Sequence, residues 1–400
     1  MAIVVQKYGG SSVGSVEKIK KVAETIIKKR EAGNDVVVVV SAMGNTTDNL
    51  ISIASKVTEN PDKRELDALL STGEMVSAAL LAMTIKDKGY DAVSYTAYQA
   101  EVKTFGGYGK SLIKDIDGKN IKDSLKRGKI VIIAGFQGIN EDGDITTLGR
   151  GGSDTTAVAI AVKLNGTCEI YTDVDGIYSV DPRKYKNAKK LDKIDYEEML
   201  ELSSLGAQIM HSRSIELGQK YNIPIYVGLS NSSIKGTIIR GLNKVNMESK
   251  PVTGLATSDE DAAITIREIE SDINLIADLF EKVASKRINI DMISQTAPMD
   301  GKVSLSFTIP KTDLKEGLGI INGFCKDKAK IAIDEDITKF SVVGIGMKTT
   351  SGVAAKMLKL LSDNNIEVKM ITTSEIRITC AIKQEDKVKA VNIVAKEFNL

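Results

Sequence analysis

Four short segments hold the residue types that bind and move anions. Lys7-Tyr8-Gly9-Gly10-Ser11-Ser12-Val13-Gly14 follows an apolar run. Its glycines let backbone N–H groups approach a phosphate closely, and a lysine at the strand end can meet the phosphoryl charge. Neither the Gly-x-x-x-x-Gly-Lys-(Ser/Thr) of a P-loop nor the Gly-x-Gly-x-x-Gly of a dinucleotide site is present, so alone the segment reads equally well as a structural turn. Ser41-Ala42-Met43-Gly44-Asn45-Thr46-Thr47-Asp48 ends a valine run, the edge at which open α/β sheets bind ligands, although Thr47 or Asp48 could simply cap the next helix. In Thr147-Leu148-Gly149-Arg150-Gly151-Gly152-Ser153-Asp154-Thr155-Thr156, the Arg150 fork among glycines suits a carboxylate, while Ser153 or Asp154 could serve as an N-cap. Tyr171 to Arg183 pairs Asp173 with Asp175 but lacks the ligand ladder and terminal Glu of an EF-hand.

These segments need a scaffold that presents strand ends side by side. Val- and Ile-rich runs, Ile3 to Lys7, Val36 to Ser41, Asp91 to Thr96, Lys129 to Phe136, Glu169 to Asp173 and Ile223 to Val227, alternate with amphipathic stretches up to about residue 230. That alternation predicts a mainly parallel sheet covered by helices on both faces. Ile19, Val22, Ala23, Ile26 and Ile27 mark the apolar face of the first helix. The patterning lapses around Asn243, Asn246 and Pro251, which reads as a linker. Beyond it, Leu279 to Thr296 aligns without a gap to Met357 to Ser374, each copy reading helix, turn, strand. Alternating segments follow, Val303 to Ile309 and Glu375 to Ile382, so two small split β-α-β units are expected.

At 400 residues the chain supports two or three cores, and its 54 basic and 53 acidic residues leave a net charge of +1, without the basic surplus of a nucleic-acid binder. Cys168, Cys325 and Cys380 sit in apolar, strand-like surroundings and read as reduced, buried and inert. The opening apolar run is too short for a signal peptide and no stretch reads as a bilayer span, so a cytoplasmic protein without membrane contact is expected. The lone histidine, His211, reads as a surface or capping residue. Histidine-rich metal sites therefore lack their parts, whereas a nucleophile already ionised at pH 7, such as a carboxylate, needs no histidine base.

Taken together and in order, the four segments and Ser71-Thr72-Gly73-Glu74 resemble those of the aspartate kinases, a branch of the amino acid kinase superfamily; Tyr8 stands where that family's first motif has Phe. Pro251 to Ala256, Gly346-Met347-Lys348 and Gly352-Val353-Ala354 resemble the family's tandem ACT domains, so the likeness spans nearly the whole chain. It implies a three-layer α-β-α kinase domain over 1–240, a linker over 241–251, a first ferredoxin-like ACT region over 252–335 and a second over 336–400, with 252–257 lending a strand to the second. The implied reaction is ATP + L-aspartate to ADP + 4-phospho-L-aspartate, with Mg²⁺, as the first step toward lysine, threonine and methionine. Catalytic roles fall on Lys7 and Asp154. Substrate contacts fall on Ser41, Thr47, Ser153, Arg150 for the α-carboxylate and Glu74 for the ammonium, a carboxylate oddly set beside the Leu66, Leu69, Leu70 face. Nucleotide contacts fall on Lys7, Gly9, Gly10, Ser12, Thr172, Asp173, Tyr178, Asp181 and Arg183. No protein metal ligand is implied.

The likeness also implies feedback inhibition by lysine, alone or with threonine, and a homo-oligomer, dimer or tetramer. Asp291 in the first repeat is matched by Lys369 in the second, so only the first copy offers an anion to an effector's ammonium there. Its site is expected near Ile276, Ala277, Asp291, Ser294 and Gln295, with Asp291 as a plain strand-edge charge the alternative. Two other readings stand beside this one: a kinase acting on glutamate or acetylglutamate, and an amino-acid sensor with an inactive kinase domain.

Overall fold

The computed structural model describes residues 1–206, 209–242, 250–325 and 329–400; most of the expected linker, with Asn243 and Asn246, lies outside the described residues. The chain forms two compact units. The first comprises Met1–Ile177, Lys190–Ser203 and Gln208–Val245, and the second Tyr178–Lys189, Ser204–Ala207 and Asn246–Leu400.

The first unit begins with β1 (Ile3–Tyr8), α1 (Val16–Glu31), β2 (Asp35–Val40), α2 (Thr46–Val57), α3 (Lys63–Asp87), β3 (Ala92–Tyr95) and α4 (Ala97–Ala100). It continues through β4 (Val102–Phe105), β5 (Leu112–Ile116), α5 (Lys119–Lys126), β6 (Ile130–Ala134), β7 (Gln137–Ile139), β8 (Ile145–Thr147), α6 (Gly152–Leu164) and β9 (Thr167–Thr172). β10 (Lys193–Ile194), α7 (Tyr196–Ser204), α8 (Ser212–Tyr221), β11 (Ile225–Leu229) and β12 (Thr237–Ile239) complete it. The main sheet runs β10-β12-β11-β9-β1-β2-β6-β3, parallel except between β11 and β12. All six expected strands lie in this sheet, each within about two residues of its expected bounds. A second sheet, β5-β4-β7-β8, was not legible.

Val36 to Val40 of β2 are fully buried on both faces, which an unbroken valine run without alternation requires of a central parallel strand. Each such side chain contributes about 1.5–3 kcal/mol through burial. One face packs Val36, Val38 and Val40 against Ile19, Val22 and Ile26 of α1 and Leu81 and Ile85 of α3, and α6 packs against β1, β2 and β9. Contrary to the sequence expectation, α3 is long and apolar enough to cross a bilayer by length and composition, with a mean hydropathy of 1.6 over its best window. It is a core helix here: half of that window is buried, and Asp67, Ser71 and Glu74 are among its buried residues.

The second unit holds β13 (Gly254–Ser258), β14 (Asp261–Glu270), α9 (Ile273–Ser285), β15 (Asp291–Gln295), β16 (Lys302–Pro310) and α10 (Leu314–Cys325). It then runs through β17 (Lys330–Asp334), β18 (Ile337–Val343), α11 (Val353–Asp363), β19 (Val368–Thr373), β20 (Arg377–Lys383) and α12 (Lys387–Glu397). Two antiparallel sheets, β15-β16-β14-β17 and β13-β18-β20-β19, each carry their own core, and Ala263, Met292, Ile337 and Ala381 form a small cluster from strands of both. The sequence repeat maps onto α9–β15 and α11–β19, and a bulge interrupts β15 and β19 alike. Continuing that alignment without a gap, Lys339 on β18 takes the place of Asp261 on β14, just as Lys369 takes that of Asp291. These positions bond across the two sheets: Lys339 Nζ lies 2.9 Å from Asp261 and 3.0 Å from Asp291, and Lys369 Nζ 2.5 Å from Asp334.

All three cysteines are buried, and burial pushes each thiol up, that of Cys380 to about 12. Cys168 and Cys380 lie on strands, but Cys325 ends helix α10; its apolar neighbours fit a helix face as well as a strand.

Candidate active site

β1 pairs with β2 and β9, and β2 with β6, in registers that set Tyr8 beside Val40 and Tyr171, and Val40 beside Ala134. The C-terminal ends of four parallel strands therefore form one edge, where the connecting loops are laced together. Ser41 N donates to Tyr8 O at 3.1 Å, Gly44 N to Gly10 O at 3.1 Å, Gly9 N to Tyr171 O at 3.3 Å and Gly135 N to Val40 O at 3.0 Å. A Cβ at Gly10 would stand 2.8 Å from Ala42 O, so glycine is what lets the first two loops meet.

Lys7, near the end of β1, lies 2.6 Å from Asp154 Oδ1 in the first turn of α6, an ion pair whose angle is not that of a hydrogen bond. Both side chains are largely buried. Desolvating both charges is costly unless further partners complete them, while the helix N-terminus favours the carboxylate. The N-cap of α6 is Gly151, at φ 70° and without a side-chain bond, so neither Ser153 nor Asp154 caps it. Asp154 is thereby left to Lys7.

Glu74 projects from the middle of α3 and is only 3 % exposed. A Cβ at the preceding Gly73 would come within 2.8 Å of Ala42 Cβ, so the glycine allows α3 to approach the loop after β2. Glu74 Oε1 accepts from Ala42 N at 3.1 Å, and Oε2 is buried with no partner. Burial pushes the carboxyl up to about 7, against the opposing pull of backbone hydrogen bonds. Asp67, two turns earlier on α3, is equally buried but satisfied. It accepts from Gly109 N at 2.9 Å, Thr147 N at 2.8 Å and Thr147 Oγ1 at 2.7 Å. Asp67 is fully engaged in structure, whereas Glu74 keeps one oxygen without a donor.

Arg150 is exposed on the loop between β8 and α6, and Ser153 is buried against Gly135, where a Cβ would meet its Oγ at 2.8 Å. Ser41 and Thr47 are half-buried. Asn45 is the N-cap of α2, without a side-chain bond, and Thr47 and Asp48 lie inside its first turn. Gly9, Gly10 and Ser12 line the first loop, with a Cβ at Gly9 only 3.5 Å from Lys7 Nζ. Phe136, missed in the sequence, turns the chain at φ 68° between β6 and β7, and its O accepts from Leu148 N at 2.8 Å. An aromatic residue in the left-handed region is strained, and its place beside glycines at a strand end was the available signal. His211 is the N-cap of α8, its Nδ1 accepting from Arg213 N at 3.4 Å. Burial, then the Arg213 charge, holds it below the usual histidine range.

The remaining expected residues divide between the units. Thr172 and Asp173 belong to the first, with Thr172 Oγ1 donating to Asp173 Oδ1 at 3.0 Å. Tyr178, Asp181 and Arg183 belong to the second, where Arg183 donates to Asp181 through Nε at 3.0 Å and Nη2 at 2.9 Å. Ile276 is buried on α9 beside exposed Ala277, while Ser294 and Gln295 are exposed on β15. Asp291 accepts from Lys339; burial works to raise its carboxyl, and the Lys339 charge and bond overcome this and hold it below the usual range. Among the described residues no group of three His, Cys, Asp or Glu side chains could hold a metal ion.

Residues 2–228 match the amino acid kinase family and residues 340–398 an ACT domain. The aspartokinase of Bacillus sp. (strain MGA3) is 45 % identical, over 100 % of this chain and 98 % of its own. The crystal structure of Clostridium acetobutylicum aspartate kinase is similar at a TM-score of 0.77 and 26 % identity, over 99 % of this chain and 100 % of that one. That of Escherichia coli aspartokinase III in complex with aspartate and ADP superposes at 0.83 over the full length of both chains, with 21 % identity, a likeness of fold.

Proposed function

The chain belongs to the aspartokinases of the amino acid kinase family, and from that premise we propose that it moves the γ-phosphoryl group of ATP to the side-chain carboxylate of L-aspartate, giving 4-phospho-L-aspartate. The observation that carries this reading is the pairing, at one sheet edge, of a lysine–aspartate couple with a buried carboxylate, Glu74, one oxygen of which lacks a donor. ATP supplies the transferable phosphoryl group, and Mg²⁺ carried on its phosphates would add charge neutralisation there without requiring a dedicated protein cage. The glycine-rich loop fits such a group at Gly9, where the missing Cβ would stand 3.5 Å from Lys7 Nζ and its absence leaves room beside the ammonium.

The attacking oxygen of aspartate is already anionic, so no base is needed and catalysis is positioning and charge neutralisation. Lys7 neutralises charge on the phosphoryl oxygens, with Asp154 fixing its ammonium, while the Gly10 N–H and the Ser12 hydroxyl offer donors and Gly9 leaves the space beside Lys7 Nζ clear. Glu74 takes the ammonium of aspartate through its open Oε2, Arg150 takes the α-carboxylate as a fork, and Ser41, Thr47 and Ser153 add hydroxyl contacts. Thr172, Asp173, Tyr178, Asp181 and Arg183 contact the nucleotide.

Domain assignment follows the same reading: kinase 1–240, linker 241–251, and ACT regions 252–335 and 336–400, with β13 paired to β18 in support of an exchanged strand. The enzyme acts in the cytoplasm as a homo-oligomer at the entry to lysine, threonine and methionine synthesis. Lysine, alone or with threonine, inhibits it by binding near Ile276, Ala277, Asp291, Ser294 and Gln295. Asp291 supplies the carboxylate for an effector's ammonium, held ionised against burial by the Lys339 charge and bond and by the Arg377 charge. A coupling of about 1–3 kcal/mol suffices. ADP release measured with aspartate, glutamate and acetylglutamate as acceptors tests the assignment. Activity with aspartate alone is expected; turnover of the others, or of none, would overturn it.

A further inference from the structure

The loop that carries Arg150 is held from outside by the start of α8. Arg213 donates through Nη1 to Leu148 O at 2.6 Å and through Nη2 to Ser111 O at 3.1 Å, so one guanidinium spans two backbone segments. Those segments are already joined by Ser111 N, which donates to Thr147 O at 2.9 Å. Gly149 sits against the same strip, since a Cβ there would stand 3.0 Å from Gly109 O. On the far side of Arg150, Gly151 lies against His211, where a Cβ would come within 2.2 Å of His211 Cβ. Leu148 N is fixed by Phe136 O at 2.8 Å. Arg150 itself is exposed and stands on backbone anchored before and after it.

From this geometry we infer that Arg213 is a positioning residue for substrate binding: its fork sets the backbone from which Arg150 reaches the α-carboxylate of the acceptor. The inference rests on the reading of Arg150 as that partner. Two carbonyl oxygens on separate backbone segments are met here by two different guanidinium nitrogens, a planar fork that a lysine reproduces poorly because its three donors radiate from one nitrogen on a shorter, more flexible stem. Displacing a binding group by about 1 Å is enough to cost about 100-fold. The effect falls on the acceptor side, since Arg213 bonds to the Leu148 and Ser111 backbone and to none of the first-loop residues.

Steady-state kinetics on the full-length enzyme, varying aspartate and ATP separately, test this with Arg213→Gln, Arg213→Lys and Arg150→Gln. Arg213→Gln is expected to raise the aspartate KM about 10- to 100-fold and leave the ATP KM within about 3-fold. Arg213→Lys should fall between it and the parent, and it carries the test alone if the glutamine variant does not fold. An unchanged aspartate KM in the Arg213 variants, with a large rise in Arg150→Gln, overturns the positioning role and spares the reading of Arg150. Equal rises in both KM values together with a lowered unfolding midpoint also overturn it, as a general structural role. If Arg150→Gln leaves the aspartate KM unchanged, the reading beneath both has failed.

Discussion

Replacing Glu74 by glutamine should make the unliganded enzyme more stable and a much poorer binder of aspartate. The Glu74 carboxyl titrates near 7 in the folded chain against an ordinary 4.5, because burial disfavours its charge. Between those values the folded state holds a proton that the unfolded state has lost, so stability falls as pH rises through that window. A displacement of that size corresponds to about 3 kcal/mol at pH 8. Glutamine avoids the charging cost but leaves a buried N–H donor unpaired, at about 1–3 kcal/mol. The net expectation is a gain of about 1–2 kcal/mol at pH 8, or about 2–8 °C in the unfolding midpoint of a domain this size. The gain should shrink by about 1.4 kcal/mol per pH unit below about 7 and reach zero at about pH 6, because the charging cost it removes falls as the pH approaches the ordinary 4.5. Thermal unfolding of both proteins without ligand, from pH 4.5 to 8.5, measures this, and aspartate KM in the same buffers should rise for the parent as pH falls below about 7 and lose that dependence in the variant. Parallel stability curves for the two proteins across the range would refute the buried-charge argument.

Lys7→Met should lower kcat by at least about 100-fold, near 3 kcal/mol in activation, with aspartate affinity by calorimetry almost unchanged; a variant retaining a tenth of the activity would remove Lys7 from the transition state. Asp291→Ala should weaken inhibition by lysine or threonine at least 10-fold in dose–response assays, and an unaltered inhibition curve would move the effector elsewhere. Lys339→Met leaves Asp261 and Asp291 without their shared cation, and should destabilise the second unit by about 3–5 kcal/mol, read as an early unfolding step by calorimetry. Because Asp291 is held low by Lys339, its share of that stability is present above the ordinary aspartate pKa of 3.8 and lost as pH falls below it.

The strands that build the reactive edge were legible because each is apolar throughout, as in Val36 to Val40, and a strand buried on both faces has no other way to be written. β4, β5, β7 and β8 were not, being three to five residues long, with exposed residues such as Phe105 and Leu112 that give no period to read. Lys7, Glu74 and Asp154 were visible as charges set among glycines or apolar neighbours. Asp67 was invisible, since its function is to satisfy Gly109 and Thr147, whose positions depend on the fold. Arg213 gave only the faint sign of a lone histidine and an arginine at a helix start, and its partners at Leu148 and Ser111 are remote in sequence. Phe136 is strained by tertiary demand, and its only local sign is its place beside Gly135 at a strand end.

Charge exchange between the two repeats also makes the surfaces by which they meet complementary rather than alike. Had duplication left the halves identical, a two-fold partnership would set aspartate against aspartate at residue 261, or lysine against lysine at 339. Because those mates instead attract at 2.9 Å, an unlike pair is welcomed and a like pair repelled across the same surface.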